Sequence, residues 1–224
     1  MRSKFESIVP TASEPMMTVH EELATQLNMW IADEGLIASQ STNEKPLVSK
    51  ALGSWNRQEL IDSAWRANSL GAILWALSFF ETMPSWDKQF TPQETIKPLN
   101  LFASITAFLE KARLRPAAEI EKMRDLAGLW YWRSRQEKES YAESAQASES
   151  RNRAETIAAA AQKAFSAGDI PEPINGDFPV FGRAYAEITA DEYREANSIA
   201  VERLYALNWI CGYSEDWDAV PLGG

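Results

Sequence analysis

Only two residues of this sequence could supply the commonest catalytic chemistry, and each type occurs once. His20 is the only histidine and Cys211 the only cysteine in 224 residues. Zinc sites of the usual types and Ser-His or Cys-His catalysis all need imidazole or thiolate groups. The glycine-rich loops that bind phosphate are missing too. We predict an exposed His20, a buried structural Cys211, and no catalytic, metal or cofactor site.

Charged side chains interrupt several of the apolar segments. They are Arg66, Arg133, Glu202 and Arg203. A buried charge is stable only when it is paired and hydrogen-bonded. One interpretation is an internal network that fixes the helix register, with Glu202 bonded to Arg66 or Arg133. The alternative is a polar pocket between helices.

The last part of the chain concentrates the negative charge. Between residues 187 and 218, eight acidic residues stand against two arginines. Acidic side chains around an aromatic anchor suit the capture of a basic protein surface, because charge steers the encounter and tryptophan fills pockets. The predicted partner-binding residues are Asp191, Glu192, Glu195, Glu215, Asp216, Trp217 and Asp218. The alternative is a solvated tail with Trp217 folded back onto the core.

The overall charge limits the classes of partner. Asp and Glu total 32 against 22 Lys and Arg, a net charge of −10. A nucleic-acid binder needs a basic footprint, and an anionic membrane surface would repel this chain. We therefore expect neither of these partners, whereas a basic protein is compatible with the charge. The first fifteen residues lack the apolar core of a secretory signal, so we expect a cytoplasmic protein.

The segment from Ser69 to Phe80 is predicted to be the element around which the others pack. It reads SLGAILWALSFF and is apolar on all faces, as in a helix surrounded by other elements. Its length is too short for a membrane span, which needs about twenty residues. Asn56 and Glu59 have the spacing of a capping box, so the helix should begin near Asn56. Met83-Pro84 is expected to end it.

Further helices are predicted on both sides of this segment. They are expected over residues 18–34, from Thr91 to about Lys111, from Pro116 onward and from Thr189 to Cys211, with residues 36–54 as a loop. Thr91 and Thr189 each open a capping-box pattern. Asn175-Gly176 indicates a tight turn, and a short hairpin is expected through residues 178–185.

Two features concern the packing of these helices. An unbroken helix from Pro116 to Phe165 would be about 75 Å long in a domain about 45 Å across, so we expect a break near Ser148 to Asn152. The segments 75–80 and 205–210 resemble each other, which suggests two helices that cross at Ala76 and Ala206.

Three segments of the sequence carry a resemblance to a known family. They are Trp65-Arg66 through Leu77, Leu114-Arg115-Pro116 through Arg133, and Val201-Glu202-Arg203 through Asp216-Trp217-Asp218 and Val220. Together they resemble the bacterial family called domain of unknown function 4272, over most of the chain from about residue 55. Leu204 and the ending Pro221-Leu222-Gly223 depart from the family pattern. The resemblance implies an α-helical fold and no particular activity.

These observations predict an all-α protein with a loose arm over residues 1–15 and a single domain over residues 16–224. Five or six helices would pack around the buried central helix. The predicted function is a non-enzymatic cytoplasmic binding protein whose acidic face masks a basic partner, for example an immunity-type inhibitor of a bacterial toxin. The alternative is a metal-free enzyme or small-molecule binder that uses Arg66, Arg133, Glu202 and Arg203. A third hypothesis is a helical scaffold that homodimerises through exposed tryptophans.

Overall fold

Helices make up most of the computed structural model of this chain. It describes residue 6, residues 14–142 and residues 147–223. Eight α-helices lie within these residues: α1 (Glu14–Asp33), α2 (Glu44–Ser49), α3 (Arg57–Ala76), α4 (Pro92–Leu99), α5 (Ile105–Lys111), α6 (Ala117–Ala142), α7 (Ala147–Ser166) and α8 (Ala190–Ile210). The only strands in that part of the chain are the short β1 (Pro179–Val180) and β2 (Arg183–Ala184). The predicted all-α class is confirmed.

The predicted N-terminal arm falls mostly outside the described residues. Residues 1–5 and 7–13 lie outside them, while Glu14 and Pro15 already belong to α1. The end of α1 is fixed by two long-range hydrogen bonds. The Trp30 indole donates to the carbonyl of Ala103 at 2.7 Å, and the Glu34 carboxylate accepts from the backbone of Ile105 at 2.8 Å. These bonds dock α1 onto the start of α5.

Three helices begin where the sequence predicted. Asn56, Thr91 and Thr189 each accept a hydrogen bond from the backbone three residues on, and the glutamate at that position bonds back to the cap. Such reciprocal bonds satisfy two backbone donors that a helix start leaves open. The capping-box predictions are confirmed because the motif needs only four consecutive residues.

The end of α3 was predicted wrongly. The helix stops at Ala76 instead of near Met83, and Ser78 follows with a left-handed φ of 63°. Arg115 explains the early stop, because its guanidinium donates to the carbonyls of Trp75 at 2.8 Å and Phe80 at 2.8 Å. A cation at a helix C-terminus satisfies the last carbonyls and complements the helix dipole. The segment around Arg115 therefore takes the place of the predicted last turn.

Two other helix boundaries also differ from the prediction. The predicted helix from Thr91 to Lys111 is two helices, because Asn100 adopts a left-handed φ of 45° after α4 and Ser104 caps α5. Pro98 lies inside α4 and weakens its continuation. The predicted loop over residues 36–54 contains the 3-10 turn Leu36–Ser39 and the short α2.

The hairpin after α7 is confirmed. Asn175 and Gly176 form a first tight turn between the bridged Ile174 and Asp177, with left-handed φ values of 51° and 76°. The hairpin itself turns at Phe181 and Gly182, with φ values of 50° and 74°, and its strands pair antiparallel, with Pro179 opposite Ala184 and Val180 opposite Arg183. Their buried side chains join the core, which positions the hairpin against α6.

The core lies on both sides of α8. This helix packs against α6 and against α3, and its buried side chains include Ile199, Leu204 and Leu207. Aromatic rings fill the space beside α6, where Trp86 stacks on Trp130 with ring centroids 5.8 Å apart. The predicted packing around α3 as the one central helix is not confirmed, since α8 is the helix that contacts both neighbours.

The long polar run after Arg133 is divided between two helices. α6 ends at Ala142 and α7 begins at Ala147. The predicted break at Ser148 to Asn152 is wrong, because those residues are helical within α7. Residues 143–146, between the two helices, lie outside the described part of the chain.

We expect Ala206→Leu to destabilise the fold by about 1–3 kcal/mol, because extra methylene groups overpack a filled core. Ala206 has no exposed surface and belongs to the same buried cluster as Ala76. Thermal unfolding of wild type and variant measures the effect. Ala190→Leu is the matched control, since Ala190 is exposed at the start of the same helix. An unchanged melting temperature in Ala206→Leu would contradict the prediction.

Candidate functional site

A groove runs between α3 and the first half of α8. Two adjoining cavities, of about 270 Å³ and 530 Å³, share Asp62, Trp65, Asn197 and Ser198 as lining residues. Along the groove, residues 58–66 of α3 and 191–202 of α8 occur in the same order. The two helices therefore run side by side in the same direction, with both capped N-termini at the same end.

The sequence of α3 explains why the groove is there. The buried residues of this helix begin at Ala67, whereas Gln58, Ile61 and Asp62 are exposed. Ser69 marks the point of close approach, since its hydroxyl donates to the backbone carbonyl of Glu202 at 2.9 Å. On the N-terminal side of this contact the two helices leave a groove open to solvent.

The groove carries more negative than positive charge. Four carboxylates and two guanidinium groups line it: Asp62, Asp191, Glu195 and Glu202, with Arg66 and Arg194. Both arginines are paired, Arg66 with Glu202 at 3.2 Å and Arg194 with Asp191.

The remaining two carboxylates of the groove accept hydrogen bonds from neutral amides. Asp62 accepts from Gln58 at 2.7 Å, and Glu195 accepts from Gln89 at 2.8 Å. Among the described residues neither has a cationic partner within ion-pair distance. The groove therefore keeps two uncompensated negative charges, one on each wall.

The floor of the groove is partly apolar. Ile61, Trp65 and Tyr193 line the larger cavity, and Val201 lines the smaller one. Ile61 is 39% exposed, and Trp65 is half-buried with one side packed against the core cluster. An apolar floor between charged rims has the composition of a protein-binding surface.

The predicted partner-binding residues fall into two groups. Asp191 and Glu195 line the groove. Glu192 lies on the same helix but closes the capping box with Thr189, and that hydrogen bond lowers the pKa of its carboxyl. Sequence reasoning missed Asp62 and Trp65, because nothing in the pattern of α3 places them opposite residues about 130 positions later.

The second group lies in the C-terminal segment and is used inside the fold. Desolvation alone would raise the pKa of Asp218, but hydrogen bonds from the Asn43 backbone and the Ser41 hydroxyl, both at 2.8 Å, lower it. Asp216 caps the 3-10 turn Trp217–Ala219 through the backbone of Asp218. Of the acidic residues in this segment, Glu215 and Asp216 are exposed, and Asp218 is half-buried.

Trp217 packs back onto α8. Its ring meets those of Tyr205 and Trp209 edge-on, with centroids 4.9 Å and 5.3 Å away. Arg66 lies over the same ring at 5.8 Å. Trp217 therefore joins the C-terminal segment to α3 and α8.

The four residues of the predicted polar pocket belong to three separate networks. Arg66 and Glu202 are paired, as the network interpretation predicted. Arg133 instead bonds to Asp177 and Glu137. Arg203 donates to the carbonyls of Pro84, Ser85 and Lys88. The structure thus assigns these charges to different contacts between elements.

The two candidate nucleophilic or basic groups lie apart from the groove. Cys211 is half-buried at the end of α8, and desolvation raises the pKa of its thiol despite the nearby Arg124. A raised pKa keeps the thiol protonated and weakly nucleophilic. His20 is half-buried in the second turn of α1.

Comparison with known protein families identifies the chain. A family model described as Domain of unknown function (DUF4272) matches residues 8–158, more than half of the sequence. The chain belongs to this family. The DUF4272 match contains the segments around Trp65 and around Arg115, and it begins well before residue 55. It ends before α8, so the C-terminal motif lies outside the matched residues. Neither a curated protein nor a solved structure matches the chain.

The groove therefore combines two parts of the chain. Its α3 wall belongs to the DUF4272 region, and its α8 wall lies beyond that region. Among the helices that the structure describes, none combines the length and the apolar character that crossing a membrane would require.

Proposed function

We propose that this chain is a non-enzymatic, cytoplasmic binding protein that captures a basic protein partner in the groove between α3 and α8. The observation that carries this proposal is the pair of carboxylates, Asp62 and Glu195, that line the groove from opposite helices and form no ion pair among the described residues. Uncompensated charge accelerates encounter with a partner of opposite sign, and the apolar floor supplies area to bury. An immunity-type inhibitor that masks a basic toxin is one concrete form of this function.

The shape of the groove favours a protein over a small molecule. Sites for small molecules enclose most of the ligand surface and are mainly apolar. Here Gln58, Asp62, Gln89 and Asp191 line the larger cavity and are all exposed. An open, acidic groove instead complements a convex and basic surface.

The charge distribution supports the same conclusion. The protein has a net charge of −10. In its acidic tail, Asp218 accepts hydrogen bonds from Ser41 and Asn43, whereas Glu215 and Asp216 stay exposed. The structure describes all nine tryptophans, and Trp209 is the one that is exposed. Homodimerisation through several exposed tryptophans therefore gains little support.

Reversing the groove charges should abolish partner capture. We expect tagged wild-type protein to retain a stoichiometric basic protein from a lysate of its host at low salt, and less of it at moderate salt, because salt screens exposed charges. The double variant Asp62→Lys/Glu195→Lys should lose it. Mass spectrometry identifies the partner and its charge, and co-expression then tests whether this protein neutralises a toxic partner.

The matched control is Glu121→Lys/Glu172→Lys. It makes the same change in net charge at two exposed positions outside the groove. Capture should survive in this control. Equal loss in both double variants would mean that overall charge, and not the groove, binds the partner. No captured protein at either salt concentration would overturn the proposal.

A further inference from the structure

Trp65 lines the groove together with one carboxylate from each wall. Asp62 precedes it by three residues, so both side chains lie on the same face of α3. Glu195 lines the same cavity from α8, and its carboxylate accepts a hydrogen bond from Gln89 at 2.8 Å. Within the described part of the chain, no arginine or lysine lies over the Trp65 ring. The larger cavity thus combines an aromatic ring with two carboxylates that form no ion pair among the described residues, a set of groups that suits an external cation.

We infer that this part of the groove binds the guanidinium group of an arginine side chain that the partner inserts between Asp62 and Glu195. This inference rests on the proposed function and specifies what the partner presents. A planar guanidinium stacks on an aromatic face and donates two parallel hydrogen bonds to a carboxylate. A lysine ammonium has the charge but neither the plane nor the fork, so it should bind more weakly.

The protein already binds its own arginines in this way. Arg66 lies 4.8 Å from the ring centre of Tyr205 while it pairs with Glu202. Arg133 lies 4.5 Å from the ring centre of Tyr185 while it pairs with Asp177. Trp65, Asp62 and Glu195 also combine an aromatic ring with carboxylates, and the two arginines of the groove, Arg66 and Arg194, pair with other carboxylates. Chemistry that holds two internal guanidinium groups also suits an external one.

The size of the groove fits one inserted side chain. The larger cavity, of about 530 Å³, is lined by Asp62, Trp65 and Glu195 and adjoins the smaller one of about 270 Å³. The larger volume lies within the range of roughly 300–1,000 Å³ typical of small-molecule sites, so it is large enough for one side chain. The exposed rim leaves room for the rest of the partner to remain outside. An arginine that projects from a protein surface meets both conditions.

The inference is tested by NMR titration with Nα-acetyl-arginine amide. The Trp65 indole N–H resonance, assigned with Trp65→Phe, should shift saturably at millimolar probe. Nα-acetyl-citrulline amide, which is neutral and nearly the same shape, should leave it unshifted. Asp62→Asn/Glu195→Gln should weaken arginine binding at least tenfold. Glu121→Gln/Glu172→Gln, the matched control outside the groove, should leave it unchanged.

Two results would overturn the inference. One is an equal response to the arginine and citrulline probes, and the other is arginine binding that survives Asp62→Asn/Glu195→Gln. The remaining indole resonances report whether each variant is folded. The capture experiment distinguishes this failure from failure of the proposed function. If a basic partner is captured through the groove while the Trp65 indole ignores arginine, the function stands and the arginine site fails. If arginine binds but no partner is captured, the function fails and the site stands.

Discussion

Asp177→Asn is expected to cost about 3–5 kcal/mol of folding stability, because removing one partner of a buried ion pair leaves the other charge uncompensated. Asp177 accepts hydrogen bonds from Nε and Nη2 of Arg133, both at 2.7 Å. The Arg133 side chain is 1% exposed. Asparagine keeps the shape of the aspartate but removes its charge and one of its two acceptors. Arg133 would then have Glu137 as its remaining carboxylate partner.

The stability lost in Asp177→Asn should exceed that of the ion pair alone, because Asp177 makes further hydrogen bonds. Its carboxylate also accepts from the backbone of Phe178 at 2.7 Å and of Ala186 at 3.0 Å. The hairpin between these two residues is thus tied to α6 through one side chain. Desolvation alone would lower the pKa of Arg133, but Asp177 and Glu137 outweigh it and raise that pKa. A raised pKa means that the fold stabilises the charged form of Arg133.

Urea unfolding at neutral pH measures the effect of Asp177→Asn. The matched control is Asp125→Asn, since Asp125 pairs with Arg124 at 2.5 Å on the same helix as Arg133 but is 68% exposed. Exposed pairs of this kind contribute about 0–1 kcal/mol. A loss in Asp177→Asn no larger than in the control would show that the buried pair adds nothing to the stability of the fold.

The predictions from sequence succeeded where neighbouring residues suffice. The capping boxes at Asn56, Thr91 and Thr189 need four consecutive residues, and the turn at Asn175-Gly176 needs two with positive φ. Each therefore appeared directly in the sequence. The end of α3 depends instead on Arg115, which lies 40 positions after Trp75 in the chain. No local pattern around Ser78 indicates that contact.

The candidate site shows the same difference between features that the sequence reveals directly and features that depend on long-range contacts. The surplus of acidic residues toward the C-terminus is a property of composition and was evident from sequence. Which carboxylates stay exposed depends on three-dimensional contacts. Asp218 looks like a surface residue in the sequence, yet it binds Ser41 and Asn43. Asp62 looks unremarkable in the sequence, yet it faces α8 across the groove.

Arg203→Met is expected to destabilise the fold by about 3 kcal/mol, because hydrogen bonds to a charged group contribute about 1.5–3 kcal/mol each and their loss is partly offset by water. Arg203 has no exposed surface, and its guanidinium donates to the carbonyls of Pro84 at 2.8 Å and Lys88 at 2.6 Å. Desolvation lowers its pKa to about 9, against the opposing effect of Asp87. At neutral pH the side chain is still charged, so these carbonyls and the aromatic rings hold a buried cation.

The loop from Pro84 to Phe90 should loosen with this substitution. Arg203 lies 5.0 Å from the ring centre of Trp86 and 5.4 Å from that of Phe90. The Phe90 ring packs so closely on α3 that a Cβ at Gly71 would lie 2.2 Å from the ring. The backbone N–H of Phe90 also donates to the Asn68 side chain at 3.1 Å. We expect faster hydrogen exchange at the Phe90 amide in Arg203→Met. The loop is held by α3 and α8, and the substitution removes the hydrogen bonds from α8.

Arg194→Met is the matched control for this prediction. Arg194 lies on the same helix, is 69% exposed and pairs with the exposed Asp191, so the same substitution there should change stability by about 0.5 kcal/mol or less.

Arg203→Lys separates charge from geometry, since lysine keeps the cation but replaces the planar fork with a point charge. If the carbonyls need only a positive charge, lysine should retain most of the stability. Stability as low as that of Arg203→Met would assign the effect to the guanidinium geometry. Wild-type stability and exchange in Arg203→Met would show that α8 holds the loop without this cation.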